Sequence, residues 1–278
     1  MEISKINEKN AGHAKSMKLK SLIEISKSIC KIQKKDSFGT GFFTSFNDKD
    51  HLFLVTAYHV IPFPMIEKKK TIEIICDAEN IKREIILDPQ QRKYFCSSKK
   101  DITIIEIIVQ DHLIDKVKSL EFDINCKLST YGDYLNKDIF IMHHPKGEDL
   151  ECNSGKIVMI KEPNIYEFQH TLDTMEGSSG SPILLFEKQN EKPKVIGIHT
   201  SACIGNKNNI GVFIDTLNNI LETKIEKEYI EELNVPSNTK MEIPENVEAN
   251  CNRVHIGKDA TLEVVGGLKI VYGNLEDL

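Results

Sequence analysis

Short apolar runs rich in Ile, Val, Phe and Leu, each closed off by Gly, Asn, Asp or Lys, recur from Ser28 onward and constrain this chain more than any other feature. Runs of this kind match β-strands bounded by turns. They fall at residues 28–32, 39–46, 52–56, 71–76, 82–87, 102–109, 138–142, 151–160, 166–171, 183–186, 194–199 and 211–213. The pattern predicts an all-β fold, and the number of runs is about what two six-stranded barrels require. Residues 111–134 are weakly patterned and serve as the crossover between lobes. Asp215 as a cap, followed by Leu217, Ile220, Leu221, Ile225, Tyr229, Ile230 and Leu233 at helical spacing, predicts a terminal helix. Residues 234–252 are rich in Pro, Asn and Glu and read as a linker, whereas residues 253–274 return to β alternation around Gly266-Gly267 and predict a docked hairpin. No internal repeat longer than a few residues is evident. The division that results is a basic N-terminal extension (1–27), a first β-barrel (28–112), a crossover with a second β-barrel (113–222), and a tail of helix, linker and hairpin (223–278).

Composition limits the partners. The chain of 278 residues is 40% hydrophobic, enough for a sizeable core, and its net charge of −6 gives no reason to expect nucleic acid or an anionic membrane surface. The one basic segment, residues 1–35, holds nine Lys against three Glu and lacks the apolar stretch of a signal peptide. The nearly apolar runs at 52–58 and 102–109 are far shorter than the ~20 residues that span a bilayer. Seven widely spaced Cys, odd in number and without a C-x-x-C pair, fit neither a disulfide framework nor a zinc site. A reducing, cytoplasmic location is the expectation, with no membrane partner. No nucleotide or metal motif is seen, and no cofactor is expected.

The chemistry concentrates in Gly177-Ser178-Ser179-Gly180-Ser181-Pro182, where a hydroxyl sits between glycines just before an apolar strand. A Gly-rich turn lets two backbone N–H groups, those of Gly177 and Ser179, converge beside a serine oxygen as an oxyanion hole. A serine needs a base, and His59 fits because the buried run 52–57 holds it on a rigid wall. Asp101 opens another apolar strand and is the candidate to orient the imidazole, with Asp77, Asp88 and Asp111 as rivals. Seven of the other eight histidines, all but His199, read as ordinary surface or core residues. His143-His144 belongs to a loop rather than a metal site, since neighbouring residues on a strand point to opposite faces and no third ligand is evident.

These stretches, in the order His, Asp, Ser, resemble the chymotrypsin-like serine peptidases: Gly39-Thr40-Gly41, Thr56-Ala57-Tyr58-His59, Asp101-Ile102-Thr103, Gly177 to Pro182, and Ile196-Gly197-Ile198-His199. The resemblance covers roughly residues 28–221 and implies a chymotrypsin-like double β-barrel with its site in the cleft between barrels. It makes His59 the general base, Asp101 its orienter and Ser179 the nucleophile of an endopeptidase acting on protein or peptide substrates. The closer likeness is to the trypsin-like domains of bacteria and microbial eukaryotes and to glutamyl endopeptidases. Ser178 stands where zymogen-activated members carry an aspartate, so activation by N-terminal cleavage is not expected. In glutamyl endopeptidases a Thr before the nucleophile and a His after Gly-Ile hold a Glu or Gln side chain, places taken here by Thr174 and His199. Asp173 is a rival that favours Arg or Lys. Two other readings stay open: a catalytically silent peptide-binding pseudoprotease, and an assembly-triggered effector that self-associates through its tail. For the second, residues 253–257 and 271–274 resemble the motifs of prion-type signalling tails.

Overall fold

The computed structural model describes residues 19–35, 37–45, 51–161, 166–185, 192–203, 207–214, 232–235, 240–243, 253–256 and 261–264. The helix expected after Asp215 and the Gly266-Gly267 turn lie outside them. Of the N-terminal extension, residues 19–26 form α1 (Leu19–Ser26), a helix of about two turns that buries Ile25 in the core.

The first lobe is built from β1 (Ile29–Gln33), β2 (Phe38–Thr44), β3 (Leu52–Thr56), β4 (Thr71–Cys76), β5 (Ile81–Ile86), β6 (Tyr94–Ser97) and β7 (Ile102–Ile107), with a short α2 (Phe63–Glu67) between β3 and β4. Every residue of β3 and β7 is buried, which explains why these strands read as continuous apolar runs rather than as alternation. The lobe is an open sheet in the order β6-β7-β3-β2-β1-β4-β5 rather than a closed six-stranded barrel. The additional strand, β6, is four residues flanked by Arg92-Lys93 and Ser98-Lys99-Lys100, too short for its periodicity to register in the sequence.

The second lobe closes fully. Its strands are β8 (Asp138–His143), β9 (Glu151–Ile160), β10 (Glu167–His170), β11 (Pro182–Leu185), β12 (Lys194–Ala202) and β13 (Asn209–Phe213), joined as a barrel in the order β10-β13-β12-β11-β8-β9. Its interior packs Phe168, Phe213, Ile183, Ile196 and Tyr131, with the Tyr131 and Phe213 rings stacked at 4.0 Å. A third apolar cluster joins the lobes, with Phe42, Phe53, Val55 and Ile104 from the first meeting Phe140, Leu184, Val195 and Ile198 from the second. No helix among the described residues is long and apolar enough to cross a membrane.

The tail departs from expectation. Four short strands follow the barrels: β14 (Glu232–Val235), β15 (Lys240–Ile243), β16 (Arg253–Ile256) and β17 (Thr261–Val264). Leu233, expected to end the helix, lies in β14, and β15 falls inside the expected linker. Among the described residues β14 runs parallel to β16, and β15 parallel to β17, while the second arm of the hairpin expected around Gly266-Gly267 lies outside them. Each of these described strands finds its parallel partner not in the next strand but in the one after it. β14 also pairs antiparallel with β6, which docks the tail on the first lobe.

Candidate active site

Sheet register brings the first two candidate residues together. β3 and β7 are antiparallel with Thr56 opposite Thr103, so the chain leaving β3 and the chain entering β7 emerge at one end of the sheet. His59 follows the first and Asp101 precedes the second. His59 Nδ1 lies 2.8 Å from Asp101 Oδ2 and 3.0 Å from Oδ1, and the His59 backbone N–H donates to the same Oδ1 at 2.9 Å. Asp101 has φ 52°, in the left-handed region that Asp tolerates better than most residues. A carboxylate at Nδ1 holds the proton there and leaves Nε2 as the bare, basic nitrogen. The ring is about half exposed, at 49%.

The rival carboxylates are spent elsewhere. Asp111 forms a buried bidentate pair with Arg92, at 2.9 and 3.2 Å, and accepts the Ile108 N–H. Asp88 pairs with Lys69 and accepts the Gln90 N–H, while Asp77 lies 3.6 Å from His144.

The Gly-rich turn is clamped between the lobes. The Thr40 N–H on β2 donates to the Ser179 carbonyl at 2.9 Å, and the Gly180 N–H donates to the His199 carbonyl on β12 at 2.8 Å. The Thr40 hydroxyl donates to the Gly177 carbonyl at 2.8 Å and accepts the His144 N–H at 3.0 Å. Gly177 and Gly180 have φ of 90° and 87°, which only glycine adopts without strain. Space is also closed to a side chain there, since a Cβ on Gly177 would sit 2.6 Å from the His144 carbonyl and 2.8 Å from the Phe38 ring. The three hydroxyls differ in availability. Ser178 and Ser181 are fully buried, the first accepting from the Met175 N–H and bonded to His143, the second donating to the Ser178 carbonyl. Ser179 is partly exposed, and its hydroxyl donates to the Thr200 carbonyl at 3.2 Å. Among the described residues, no backbone acceptor takes the Gly177 or Ser179 N–H within this turn.

Beside the turn lies a buried set of imidazoles that the sequence did not single out, apart from His199. His199 on β12 and His170 on β10 flank β13, which puts Gly211 opposite His199 and so no side chain in the way. His170 Nε2 is 3.2 Å from His199 Nδ1. His170 Nδ1 is buried without a partner among the described residues. Of the two facing nitrogens of these neutral imidazoles, one donates and the other accepts. Burial pushes His170 down to about 3, tempered by the nearby Ile210 carbonyl, and pushes His199 well below the usual histidine range, with His170, His143 and His59 adding repulsion. His143 ends β8 rather than lying in a loop. It is buried, with Nδ1 at 2.7 Å from Ser178 Oγ and Nε2 facing the Asn153 amide at 3.0 Å, and burial brings it to about 4. His144 faces away, toward the Glu148 carbonyl at 2.9 Å, as alternation along a strand requires. Asp173 is exposed, its backbone carbonyl accepting from Asn153, and Thr174 is half-buried between it and the turn.

The structure therefore brings His59 to Asp101, and places Ser179 between the lobes with His199 behind it. Thr40, Ser178, His143, Asn153 and His170 complete the surroundings. Among these, only Thr40 and Ser178 lie within stretches whose pattern drew attention to the site.

No family model matches the chain, and no curated relative does. Solved structures do. The Rv3671c protease of M. tuberculosis H37Rv, in an inactive form, is similar at 16% identity with a TM-score of 0.51, over 73% of this chain and 88% of that one. A serine endoprotease of Yersinia pestis is similar at 13% identity and a TM-score of 0.53, over 74% of this chain and 65% of that one. The HtrA-type protease AlgW with a tripeptide is similar at 12% identity and a TM-score of 0.51, over 73% of this chain and 62% of that one. The fold is the chymotrypsin-like double barrel. At these identities the likeness extends to architecture, and this chain spans less than two thirds of the latter two proteins.

Proposed function

We propose that the chain is a serine endopeptidase acting through an acyl-enzyme. The observation that carries this reading is the His59–Asp101 pair at 2.8 Å together with the Gly-rich turn of the partly exposed Ser179, whose Gly180 packs against Thr56 and Ala57 just before His59. Ser179 Oγ leaves the Thr200 carbonyl, transfers its proton to His59 Nε2 and attacks the scissile carbonyl. Asp101 stabilises the imidazolium that forms, and the Gly177 and Ser179 amides receive the oxyanion. His59 then protonates the leaving amine, and water repeats the sequence to release the acyl group. The reading includes a reducing, cytoplasmic setting, for which seven widely spaced cysteines without a C-x-x-C pair are the support. The test is turnover of an unstructured protein substrate, which the wild type hydrolyses and Ser179→Ala does not.

For specificity we favour Glu or Gln before the cut. A neutral imidazole at His199 has one N–H with which it can donate to a carboxylate or amide oxygen. The Thr174 hydroxyl is a second donor near the turn. Asp173, exposed at the rim, is the competing determinant for a basic side chain. A peptide-library profile dominated by Glu or Gln is expected. One dominated by Arg or Lys assigns the pocket to Asp173.

A further inference from the structure

The two amides assigned to the oxyanion are aimed by their own peptide planes. In a trans peptide the N–H points opposite to the carbonyl it is joined to. The Glu176 carbonyl accepts the Lys146 N–H at 2.6 Å, so the Gly177 N–H faces away from Lys146. The Ser178 carbonyl accepts the Ser181 N–H at 3.1 Å and the Ser181 hydroxyl at 2.6 Å, so the Ser179 N–H faces away from Ser181. Ser178 stands between these two planes, and its side chain is fully buried. With glycine at φ 90° on one side of it, rotation of the neighbouring peptide meets little steric resistance, and the angle between the planes depends on how Ser178 is held.

Two groups hold it. Ser178 Oγ accepts the Met175 N–H at 3.0 Å, and His143 Nδ1 lies 2.7 Å away. His143 closes β8 opposite Glu151, and Ile141 stands opposite Asn153 on β9, so Asn153 shares the face of His143 and lies diagonal to it. Asn153 Nδ2 is 3.0 Å from His143 Nε2 and 3.2 Å from the Asp173 carbonyl. A carbonyl oxygen only accepts, so the Asn153 atom facing it is the amide nitrogen, and that nitrogen only donates. His143 Nε2 is therefore an acceptor. In a ring that burial keeps neutral at neutral pH, the one proton sits on Nδ1 and is donated to Ser178 Oγ.

We propose that His143 is a positioning residue of the peptidase: through Ser178 it fixes the angle between the two amides that receive the oxyanion, and Asn153 keeps its proton on Nδ1. The role rests on Ser179 being the nucleophile, and it acts through Ser178 rather than on the reacting atoms. The tetrahedral intermediate needs both amides at once and the bound substrate does not, so losing His143 should slow turnover rather than weaken binding.

The test uses the full-length chain and an unstructured protein substrate. His143→Leu fills the space without a donor and should lower kcat by about 10²-fold, the scale of a misplaced oxyanion donor, with KM unchanged. His143→Asn sets an amide N–H where Nδ1 was and should recover most of that loss, whereas a residue that only filled the core would be replaced as well or better by Leu. Ser178→Ala, which removes a single oxygen, should lose about as much as His143→Leu, and the double variant little more, because both cut one link. Thermal melts establish that each variant is folded, and Ser178→Ala carries the comparison where His143→Leu is not. A further readout is independent of activity: in protein carrying heavy-nitrogen histidine, the imidazole resonances missing from His143→Asn should be those of an Nδ1-protonated ring at neutral pH. Wild-type kcat in folded His143→Leu or Ser178→Ala, a His143→Asn no faster than His143→Leu, losses that add in the double variant, or an Nε2-protonated ring overturns the proposal alone when the wild type is active. A wild type that hydrolyses nothing and takes no fluorophosphonate label overturns the peptidase reading, and the proposal with it.

Discussion

Asp101 shows how a single residue couples backbone to chemistry. Its left-handed φ turns the chain into β7, and its carboxylate takes both the N–H and the Nδ1 of His59. Asn fits the same φ, so Asp101→Asn should leave the melting temperature nearly unchanged while lowering kcat by ~10⁴ through the wrong imidazole tautomer, a magnitude known from the serine-protease triad. Steady-state kinetics beside a thermal melt separates the two effects. Asp111 behaves in the opposite way. The sequence makes it a turn residue and a rival orienter, but it is buried against Arg92, and Asp111→Ala strands a guanidinium that is 3% exposed. About 3–5 kcal/mol of stability should be lost, read by urea denaturation, with any loss of activity following the unfolded fraction. Gly180→Ala should also fail at the level of folding, because a Cβ there meets Thr56 and the backbone of Thr40 and Ala57 at a φ of 87°. His59, Asp101 and Ser179 could be nominated from the sequence because their stretches have a characteristic local order, and the His59–Asp101 contact is what the structure adds. His143 and His170 were not, because their role depends on which strands lie side by side, and nothing near them in the chain records that.

At the scale of elements, the strands that carry the site were readable wherever burial is continuous, as in β3 and β7, or wherever a run is long, as in β9. β6, β14 and β15 escaped because four residues give only two repeats of a period-2 pattern, and charged or turn-forming neighbours outweigh them. Parallel pairing at long sequence separation leaves still less trace than a hairpin, whose turn residues mark it. The imidazoles on β8, β10 and β12 give the second barrel an acid-sensitive side. Each titrates below its unfolded value, near 6.5, so the unfolded chain binds protons that the folded chain does not. Stability conferred by this difference is present above pH 6.5 and falls as pH drops toward the folded values of about 4 for His143 and about 3 for His170. The slope approaches about 1.4 kcal/mol per pH unit for each histidine at most. Urea melts between pH 7 and pH 5 should show a falling midpoint, and His170→Gln should flatten that fall.

Across the whole molecule, the two lobes share an apolar interface, and the Gly-rich turn is tied to both, through Thr40 on one side and the His199 carbonyl on the other. The turn that carries Ser179 is thereby held by β2 of the first lobe and β12 of the second. On the proposed function, the cleft rather than either lobe is the working unit. The central claim is that Ser179 is a nucleophile activated by His59. A fluorophosphonate probe measures this most directly, since it requires an activated serine and no knowledge of the substrate. Mass spectrometry of the digested adduct should place the phosphonyl group on Ser179, with labelling abolished in Ser179→Ala and nearly abolished in His59→Ala. An adduct that persists in folded Ser179→Ala, or a folded wild type that takes up no label, would contradict the account.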